Sequence, residues 1–124
     1  MRDDWKEGLP IYRQLESRVS ALILDGTYAE GDAVPSVRRV SSDFNINHLT
    51  VAKAYQELVD SGLLEKKRGL GMFVIPGAKE ALMKNEKDKF LNTELPEFLD
   101  RLTQLDISKQ EVIDQIQSTI TEEH

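Results

Sequence analysis

Six basic residues lie between positions 38 and 68, in a stretch that also carries polar side chains. They are Arg38, Arg39, Lys53, Lys66, Lys67 and Arg68, and with four acidic residues they give the stretch a net charge of +2. Lysine and arginine bind phosphate, and the planar fork of arginine also fits the edge of guanine. His48 and Thr50 can face base edges if they lie in the first turn of a helix. The stretch therefore has the chemistry of a DNA-binding surface.

The charge of this stretch contrasts with that of the whole chain, whose 124 residues carry a formal net charge of −6. Residues 1–76 contain ten Lys and Arg against eleven Asp and Glu, and residues 77–124 contain six against eleven. The acidity therefore belongs mainly to the C-terminal segment. Phosphate binding depends on local charge, so the overall excess of acidic residues does not exclude a nucleic-acid partner.

The composition argues against several classes of protein. The chain has no cysteine, which removes disulfides, thiolate metal sites and cysteine nucleophiles. Its two histidines, His48 and His124, lie far apart, so no zinc site, catalytic histidine–carboxylate pair or cofactor is expected. No segment has the pattern of a signal peptide or the ~20 apolar residues of a membrane span. We expect a cytoplasmic protein that is not an enzyme and does not bind a membrane.

The elements that position the basic residues begin with an amphipathic helix over about residues 10–25. Its apolar residues fall at helical spacing, with Pro10 in the first turn and Gly26 at the end. They are Ile11, Leu15, Val19, Leu22 and Ile23. Residues 1–8 are polar and are predicted to be frayed apart from Trp5, and residues 27–34 are predicted to form a loop.

Two shorter helices joined by a tight turn are predicted next. Ser36 and Asn47 are their expected N-caps, because each side-chain oxygen can accept a hydrogen bond from a backbone N–H in the following turn. Residues 45–47 form the turn, and Gly62 ends the second of these helices. The inward apolar residues are Val37, Val40 and Phe44, then Val51, Ala54, Tyr55, Leu58 and Val59. This pattern predicts a helix-turn-helix motif.

A β-hairpin is predicted after these helices. Residues 63–67 and 72–75 form its strands, and residues 68–71 form a turn whose two glycines permit positive φ angles. Pro76 ends the hairpin because it has no N–H to donate. A helix-turn-helix followed by a hairpin with a basic tip makes a winged helix.

Residues 77–124 are predicted to form a helical segment with two apolar stripes. The first stripe predicts a continuous helix kinked at Pro96, with two helices broken at Thr93-Glu94 as the alternative. Ser108 and Glu111 form a capping box that opens the last helix. The stripes consist of Leu91, Leu95, Phe98, Leu102 and Leu105, then Val112, Ile113 and Ile116. So small a body cannot bury these residues alone, so we expect them to form a homodimer interface.

The sequence therefore predicts a mainly α fold with a small β-hairpin wing. A winged helix-turn-helix DNA-binding domain occupies residues 1–76, and a helical dimerisation segment occupies residues 77–124. The buried stripe of the third helix leaves Leu49, Ala52 and Lys53 facing outward, where Leu49 can contact a thymine methyl group. The alternative for Lys53 is a solvated helix face.

Further contacts are expected on either side of this helix. Arg38 and Arg39 can reach phosphate or guanine, and the alternative is that one of them pairs with Asp43 or Asp32. The basic wing tip suits phosphate or minor-groove contact, and the alternative is a solvated hairpin. The predicted DNA-binding residues are Arg38, Arg39, Asn47, His48, Leu49, Thr50, Lys53, Lys67, Arg68 and Gly69.

A series of short motifs runs through residues 10–76, in an order and at a spacing that are specific when taken together. They are Pro10-Ile11-Tyr12 with Gln14, Gly31-Asp32, Pro35-Ser36-x-Arg38, Thr50-Val51, Ala54-Tyr55-x-x-Leu58, Gly62-Leu63-Leu64 and Gly69-x-Gly71-x-Phe73-Val74. On these motifs the chain resembles the GntR family of bacterial transcription regulators. The short acidic tail is similar to that of the YtrA-like branch of this family.

The resemblance implies a homodimer, and regulators of this branch commonly repress transporter genes encoded beside them. It places Arg38, Asn47, His48, Thr50, Arg68 and Gly69 at positions that touch DNA in the family. Relatives often have Asn-Pro-Asn-Thr or a similar polar run where this chain has Asn47-His48-Leu49-Thr50. We therefore predict a homodimeric repressor of an operon that binds an inverted-repeat operator in double-stranded DNA, with no small-molecule effector assigned. The alternative is a winged helix that binds another protein without sequence-specific DNA binding.

Overall fold

The computed structural model, which describes residues 5–120, contains six α-helices, one π-helical segment and one two-stranded antiparallel sheet in those residues. The chain divides into two units, the first ending at Lys84 and the second beginning at Asn85. The elements are α1 (Ile11–Leu24), α2 (Val37–Phe44), α3 (His48–Asp60), β1 (Leu64–Lys67), β2 (Gly71–Val74), α4 (Ala78–Lys89), the π-helical segment (Phe90–Glu94), α5 (Leu95–Gln104) and α6 (Lys109–Ile120). The predicted mainly α fold with a hairpin wing is confirmed.

The core of the first unit is built from apolar side chains that recur at helical spacing. Leu15, Val19 and Ile23 form the buried face of α1, while Ile11, at the first position of the helix, is 38% exposed. From α3 come Val51, Ala54, Tyr55 and Leu58, which is the predicted stripe without the half-buried Val59. Among the described residues, no charged side chain is buried. The packing of α1 and α3 thereby leaves the opposite face of α3 in solvent.

The segment before α1 is held by the side chain of Gln14. Its Oε1 accepts a hydrogen bond from the Lys6 N–H at 2.7 Å, and its Nε2 donates to the carbonyl groups of Lys6 and Leu9, both at 2.9 Å. Trp5 packs against the core, with the Arg18 guanidinium carbon 4.1 Å from the centroid of its ring. The predicted fraying is wrong for residues 6–8, because the side-chain amide of Gln14 forms hydrogen bonds with the backbone of Lys6 and Leu9, at either end of this segment. Residues 1–4 lie outside the described residues.

A short extended segment before α2 pairs with the wing, where a loop was predicted. Ala33 forms an antiparallel bridge with Phe73, and the Val34 N–H donates to the Met72 carbonyl group at 2.9 Å. On its other edge β2 pairs with β1, with Leu64 opposite Val74. Since β2 is hydrogen-bonded along both edges, the wing is fixed to the connection between α1 and α2. The strands themselves lie within one residue of their predicted bounds.

The first unit extends past residue 76, where the sequence had placed the end of the DNA-binding domain. Ala78 and Leu82 of α4 belong to the same buried cluster as α1 and α3. Lys84 is the last residue of this unit. The unit extends into α4 because the first turns of this helix contribute the apolar side chains of Ala78 and Leu82 to the core.

The helical backbone continues through the π-helical segment into α5. The Leu95 N–H bonds to the Phe90 carbonyl group five residues earlier, and both Glu94 and Leu95 have helical φ and ψ angles. Pro96 follows directly, and in an α-helix its ring would clash with the carbonyl group four residues before it. The wider π turn relieves this clash. The continuous helix is therefore confirmed, and the break at Thr93-Glu94 is wrong.

The apolar stripes of the second unit are only partly exposed. Leu102, assigned to the dimer interface from the sequence, is 8% exposed within this chain. Leu102 lies near the end of α5, where Asp106 adopts φ 55° and the Ile107 N–H donates to the Leu102 carbonyl group at 2.9 Å. This hydrogen-bonding pattern is the Schellman motif, which commonly covers a residue at the helix end. Leu95 and Val112 are half-buried; Leu91, Phe98, Leu105, Ile113 and Ile116 are exposed, as are Phe90 and Leu99.

The last helix begins at the predicted capping box. The Glu111 N–H donates to Ser108 Oγ at 3.2 Å, and the Ser108 N–H donates to Glu111 Oε1 at 3.3 Å. These two bonds satisfy donors that the first turn of a helix otherwise leaves unpaired. The capping box is therefore confirmed.

Candidate nucleic-acid interface

Two arginines project from the first turn of α2. Ser36 Oγ accepts a hydrogen bond from the Arg39 N–H at 3.1 Å, which confirms the predicted cap. Arg39 Nε lies 3.5 Å from Asp43 Oδ2, so the alternative of an ion pair holds for Arg39. Arg38 is exposed and has no hydrogen bond or ion pair within the part of the chain that the structure describes. Its guanidinium group is available to an external partner.

Arg38 shares an open groove with the N-terminal end of α3. The groove has a volume of about 570 Å³ and is lined by Val37, Arg38, Ser41, Ser42 and His48. The lining residues include a guanidinium group, an imidazole ring and two hydroxyl groups, and none of them is acidic. The N-terminal end of a helix also carries a partial positive charge. The groove therefore has the electrostatics to hold an anion such as phosphate.

The turn between α2 and α3 fixes the start of the outward-facing helix. Asn45 adopts the left-handed conformation at φ 53°, and the Ile46 N–H donates to the Ser41 carbonyl group at 3.1 Å. Asn47 Oδ1 then accepts a hydrogen bond from the Leu49 N–H at 2.8 Å, which confirms the predicted cap. The cap holds the amide oxygen towards the helix, and the side-chain NH₂ of Asn47 is a donor that can meet DNA.

The first two turns of α3 present a mixed surface. Leu49 is 66% exposed, Ala52 is exposed and Thr50 is half-buried. Lys53 is exposed, but its Nζ lies 4.1 Å from the centroid of the Tyr12 ring, a cation–π distance. Neither alternative for Lys53 described this contact, because Tyr12 lies in α1 and no pattern within α3 reveals it. The ring holds the ammonium group on the side of α3 that faces α1.

A hydroxyl group in the core ties α3 to the start of α2. Tyr55 is 1% exposed, and its hydroxyl group donates a hydrogen bond of 2.6 Å to the Pro35 carbonyl group. Burial raises the pKa of Tyr55, with a smaller contribution from Tyr28. The helical spacing predicted a buried Tyr55 but not its partner. This bond fixes the position of Arg38 relative to the outward face of α3.

We expect Tyr55→Phe to lower the free energy of unfolding by about 1–3 kcal/mol at pH 7, because the buried Pro35 carbonyl group loses its donor. Since burial raises the pKa of Tyr55 in the folded state, the phenol favours folding below the unfolded-state pKa of about 10 and loses that contribution at higher pH. Urea unfolding at pH 7 and pH 11 checks both statements. If the difference in free energy of unfolding between Tyr55→Phe and the unaltered protein is the same at both pH values, the raised pKa assigned to the buried Tyr55 is contradicted.

The tip of the wing is exposed and carries the remaining predicted residues. Arg68 and Gly69 lie in the turn, where Gly69 has φ 77° and the Leu70 N–H donates to the Lys67 carbonyl group at 2.8 Å. The Lys67 ammonium group lies 4.6 Å from the centroid of the Phe73 ring. Lys67 therefore lies back along the hairpin, and Arg68 is the cation left at the tip.

Candidate metal clusters and membrane-spanning helices are both absent from the described residues. No group of three or more histidine or carboxylate side chains in that part of the chain is placed to hold a metal ion. None of its helices is long and apolar enough to cross a membrane. The candidate functional surface of the first unit consists of its exposed basic and polar residues, including Arg38 and His48 at the groove and Arg68 at the wing tip.

Comparison with known proteins shows which family the chain belongs to. The model described as bacterial regulatory proteins, gntR family, matches residues 11–74, which is more than half of the chain. The chain belongs to the GntR family. The resemblance read from the sequence motifs is confirmed, and the GntR relatives described below are transcription regulators, not enzymes.

Two GntR relatives extend the likeness beyond the matched domain. The HTH-type transcriptional repressor YtrA of Bacillus subtilis (strain 168) is 36% identical over 83 residues, which are 67% of this chain and 64% of that protein. The chain thus matches just under two thirds of the length of this relative. The crystal structure of a putative transcriptional regulator of the GntR family from Bacteroides thetaiotaomicron has a TM-score of 0.72 and 33% identity, covering 92% of this chain and 99% of that one. The winged-helix fold is confirmed.

A third relative has been solved with DNA. The DNA-binding domain of AraR, in complex with operator ORE1, has a TM-score of 0.51 and 32% identity, covering 53% of this chain and 80% of that chain. That domain is similar in fold to about half of this chain and was solved bound to its operator. The relationship supports DNA as the partner of the first unit.

Proposed function

We propose that this GntR protein is a homodimeric repressor that binds an inverted-repeat operator. The observation that carries the proposal is the groove shared by Arg38 and His48. It combines a guanidinium group that has no partner in the described residues with the capped N-terminal end of α3. In helix-turn-helix proteins this end of the second helix meets base edges in the major groove.

The residues have separate roles in this proposal. Arg38 and His48 bind phosphate or a guanine edge at the groove, and Leu49 meets a thymine methyl group. Lys53, held against Tyr12, faces a phosphate beside the major groove. Thr50 and the amide nitrogen of Asn47 supply polar contacts at the start of α3. At the wing, Arg68 and the Gly69 backbone approach the minor groove, while Lys67 and the ion-paired Arg39 act at longer range.

The helical segment after the winged helix is assigned to dimerisation. Leu91, Phe98, Leu105, Ile113 and Ile116 are each 43–57% exposed. A second copy of the chain would remove these side chains from water, which is the main favourable term in association. Two-fold symmetry then requires two half-sites in the operator. Their centres lie about one turn of the DNA helix apart, which is ~10 bp, or a multiple of that distance. This division assigns DNA binding to the first unit and dimerisation to residues 85–124, the part of the predicted segment 77–124 that lies outside that unit.

Repression is supported by the relative whose name describes it as a repressor. A dimer seated on an operator excludes other proteins from the same duplex, and this needs no further domain. By the resemblance to the YtrA-like branch, the target is an operon that includes transporter genes.

A DNA shift assay tests the proposal. We expect the protein to select one duplex from a random library, and its affinity to fall steeply between 50 and 200 mM salt, by roughly 10³-fold if about six phosphates are contacted. Equal binding to selected and random duplexes at every salt concentration would contradict it. That result would favour a winged helix that binds an acidic protein partner.

A further inference from the structure

The apex of the wing carries an apolar side chain between two left-handed glycines. Leu70 is 72% exposed, the highest value among the large apolar residues that the structure describes as exposed. Gly69 and Gly71 flank it with φ of 77° and 112°, and the Leu70 N–H is bonded to the Lys67 carbonyl group. Because the turn is closed by this bond, Leu70 is presented at a fixed point of the hairpin.

The two positions beside Leu70 carry no side chain. Apart from the adjacent residues of the chain, nothing lies within 4 Å of where a Cβ would stand on Gly69 or Gly71. Lys67 is drawn back along the hairpin towards Phe73. Arg68 and Leu70 are therefore the two long side chains left in the turn. With glycine on both sides of Leu70, the turn adds no further side-chain bulk that would keep it out of the minor groove, which is about 6 Å wide.

Arg68 and Leu70 would make different kinds of contact with DNA. The Arg68 cation is drawn to the negative potential of a narrow minor groove. An isobutyl group cannot bind phosphate, but the sugar walls of the groove and the floor of an A·T pair offer apolar contact. Apolar side chains are used in this way by proteins that bind the minor groove. A single exposed leucine is common on protein surfaces, so the argument depends on its place beside Arg68 on the wing.

We propose that Leu70 enters the minor groove of the operator and makes the wing selective for A·T pairs there. The selectivity arises because the amino group at N2 of guanine fills the floor of the groove at a G·C pair. This inference rests on the proposed DNA-binding function and adds a specificity residue outside α3.

Inosine substitution distinguishes recognition in the minor groove from recognition in the major groove. An inosine·cytosine pair lacks the N2 amino group, so its minor groove resembles that of A·T while its major groove resembles that of G·C. In the duplex selected by the unaltered full-length protein, each flanking A·T pair is replaced by G·C or by inosine·cytosine. We expect A·T and inosine·cytosine duplexes to bind alike and the G·C duplex to bind roughly tenfold more weakly at the wing position. Leu70→Ala should lose most of this preference, with only the contribution of Arg68 left, and Leu70→Met should keep it.

Leu49→Ala is the matched control, because it removes a leucine of similar exposure (66% against 72%) from α3 rather than from the wing. It should weaken binding but keep the difference between G·C and inosine·cytosine. The proposal is overturned if Leu70→Ala retains this difference in affinity. It is also overturned if the unaltered protein shows no flanking preference, or if it binds the inosine·cytosine duplex as weakly as the G·C duplex. If the unaltered protein binds random and selected DNA equally, the proposed function fails as well, so the two failures are distinguishable.

Discussion

Ile116→Glu is expected to turn the protein into a monomer in solution. Ile116 is 50% exposed on α6, close to the exposed Ile113. A second copy that covers this position would have to bury the new carboxylate, and an unpaired buried charge costs on the order of 3 kcal/mol or more. Sedimentation equilibrium should give the mass of one 14.1 kDa chain, where the unaltered protein gives twice that mass. Operator affinity should fall by about 100-fold or more, because the half-sites are no longer bound together.

Ser118→Glu is the control for this change. Ser118 is exposed and lies five residues after Ile113, which places it on the opposite side of α6. It adds the same charge to the same helix, and the dimer should persist. A dimeric Ile116→Glu protein would show that this face of α6 is not the interface. A monomeric Ser118→Glu protein would show that charge on the helix, rather than its position, decides association.

Arg38→Ala is expected to weaken operator binding by about 1–3 kcal/mol, or roughly 5- to 150-fold, while leaving the dimer intact. Arg38 has no partner in the described residues, so its removal leaves no unpaired group in the free protein. Fluorescence anisotropy with the selected duplex measures the loss. If Arg38 binds phosphate, the salt dependence should flatten by about one unit of slope; if it binds guanine, the preference at one base pair should relax.

Arg39→Ala is the matched comparison, since it removes the same group one residue later in α2. Arg39 is held by Asp43, and an exposed ion pair of this kind contributes little to stability. We expect a loss several-fold smaller than for Arg38→Ala, with the fold unchanged. Equal losses would mean that the ion pair opens on DNA, and unchanged affinity of Arg38→Ala would make Arg38 a structural residue.

The sequence predicted the features that depend on neighbours along the chain. Ser36, Asn47 and Ser108 were each identified as caps, and each accepts the expected hydrogen bond. Capping joins residues two or three positions apart, so residue type and spacing suffice to predict it. The buried stripes of α1 and α3 follow from the same periodicity. Residues 31–34 were missed because their pairing with β2 joins segments forty residues apart and leaves no local pattern.

Long-range contacts also account for what was missed in the candidate interface. The bond from Tyr55 to Pro35 and the contact of Lys53 with Tyr12 each cross between elements. Helical spacing shows that a residue faces inward or outward, but not which partner it meets. The burial of Leu102 within the chain was not predicted, because the helix-end motif after it has an aspartate, Asp106, in place of the usual glycine. Its role at the dimer interface stays a prediction.

The wholly uncharged core has a consequence for experiments on this molecule. The buried cluster of the first unit contains apolar side chains and Tyr55, whose raised pKa keeps it neutral further into the alkaline range. In the described residues, changes of salt or of pH between about 5 and 9 therefore act on surface charges and ionise no group of the buried core. A change in operator affinity across that range reports on these surface charges, whether they contact DNA or lie between the two copies of the dimer.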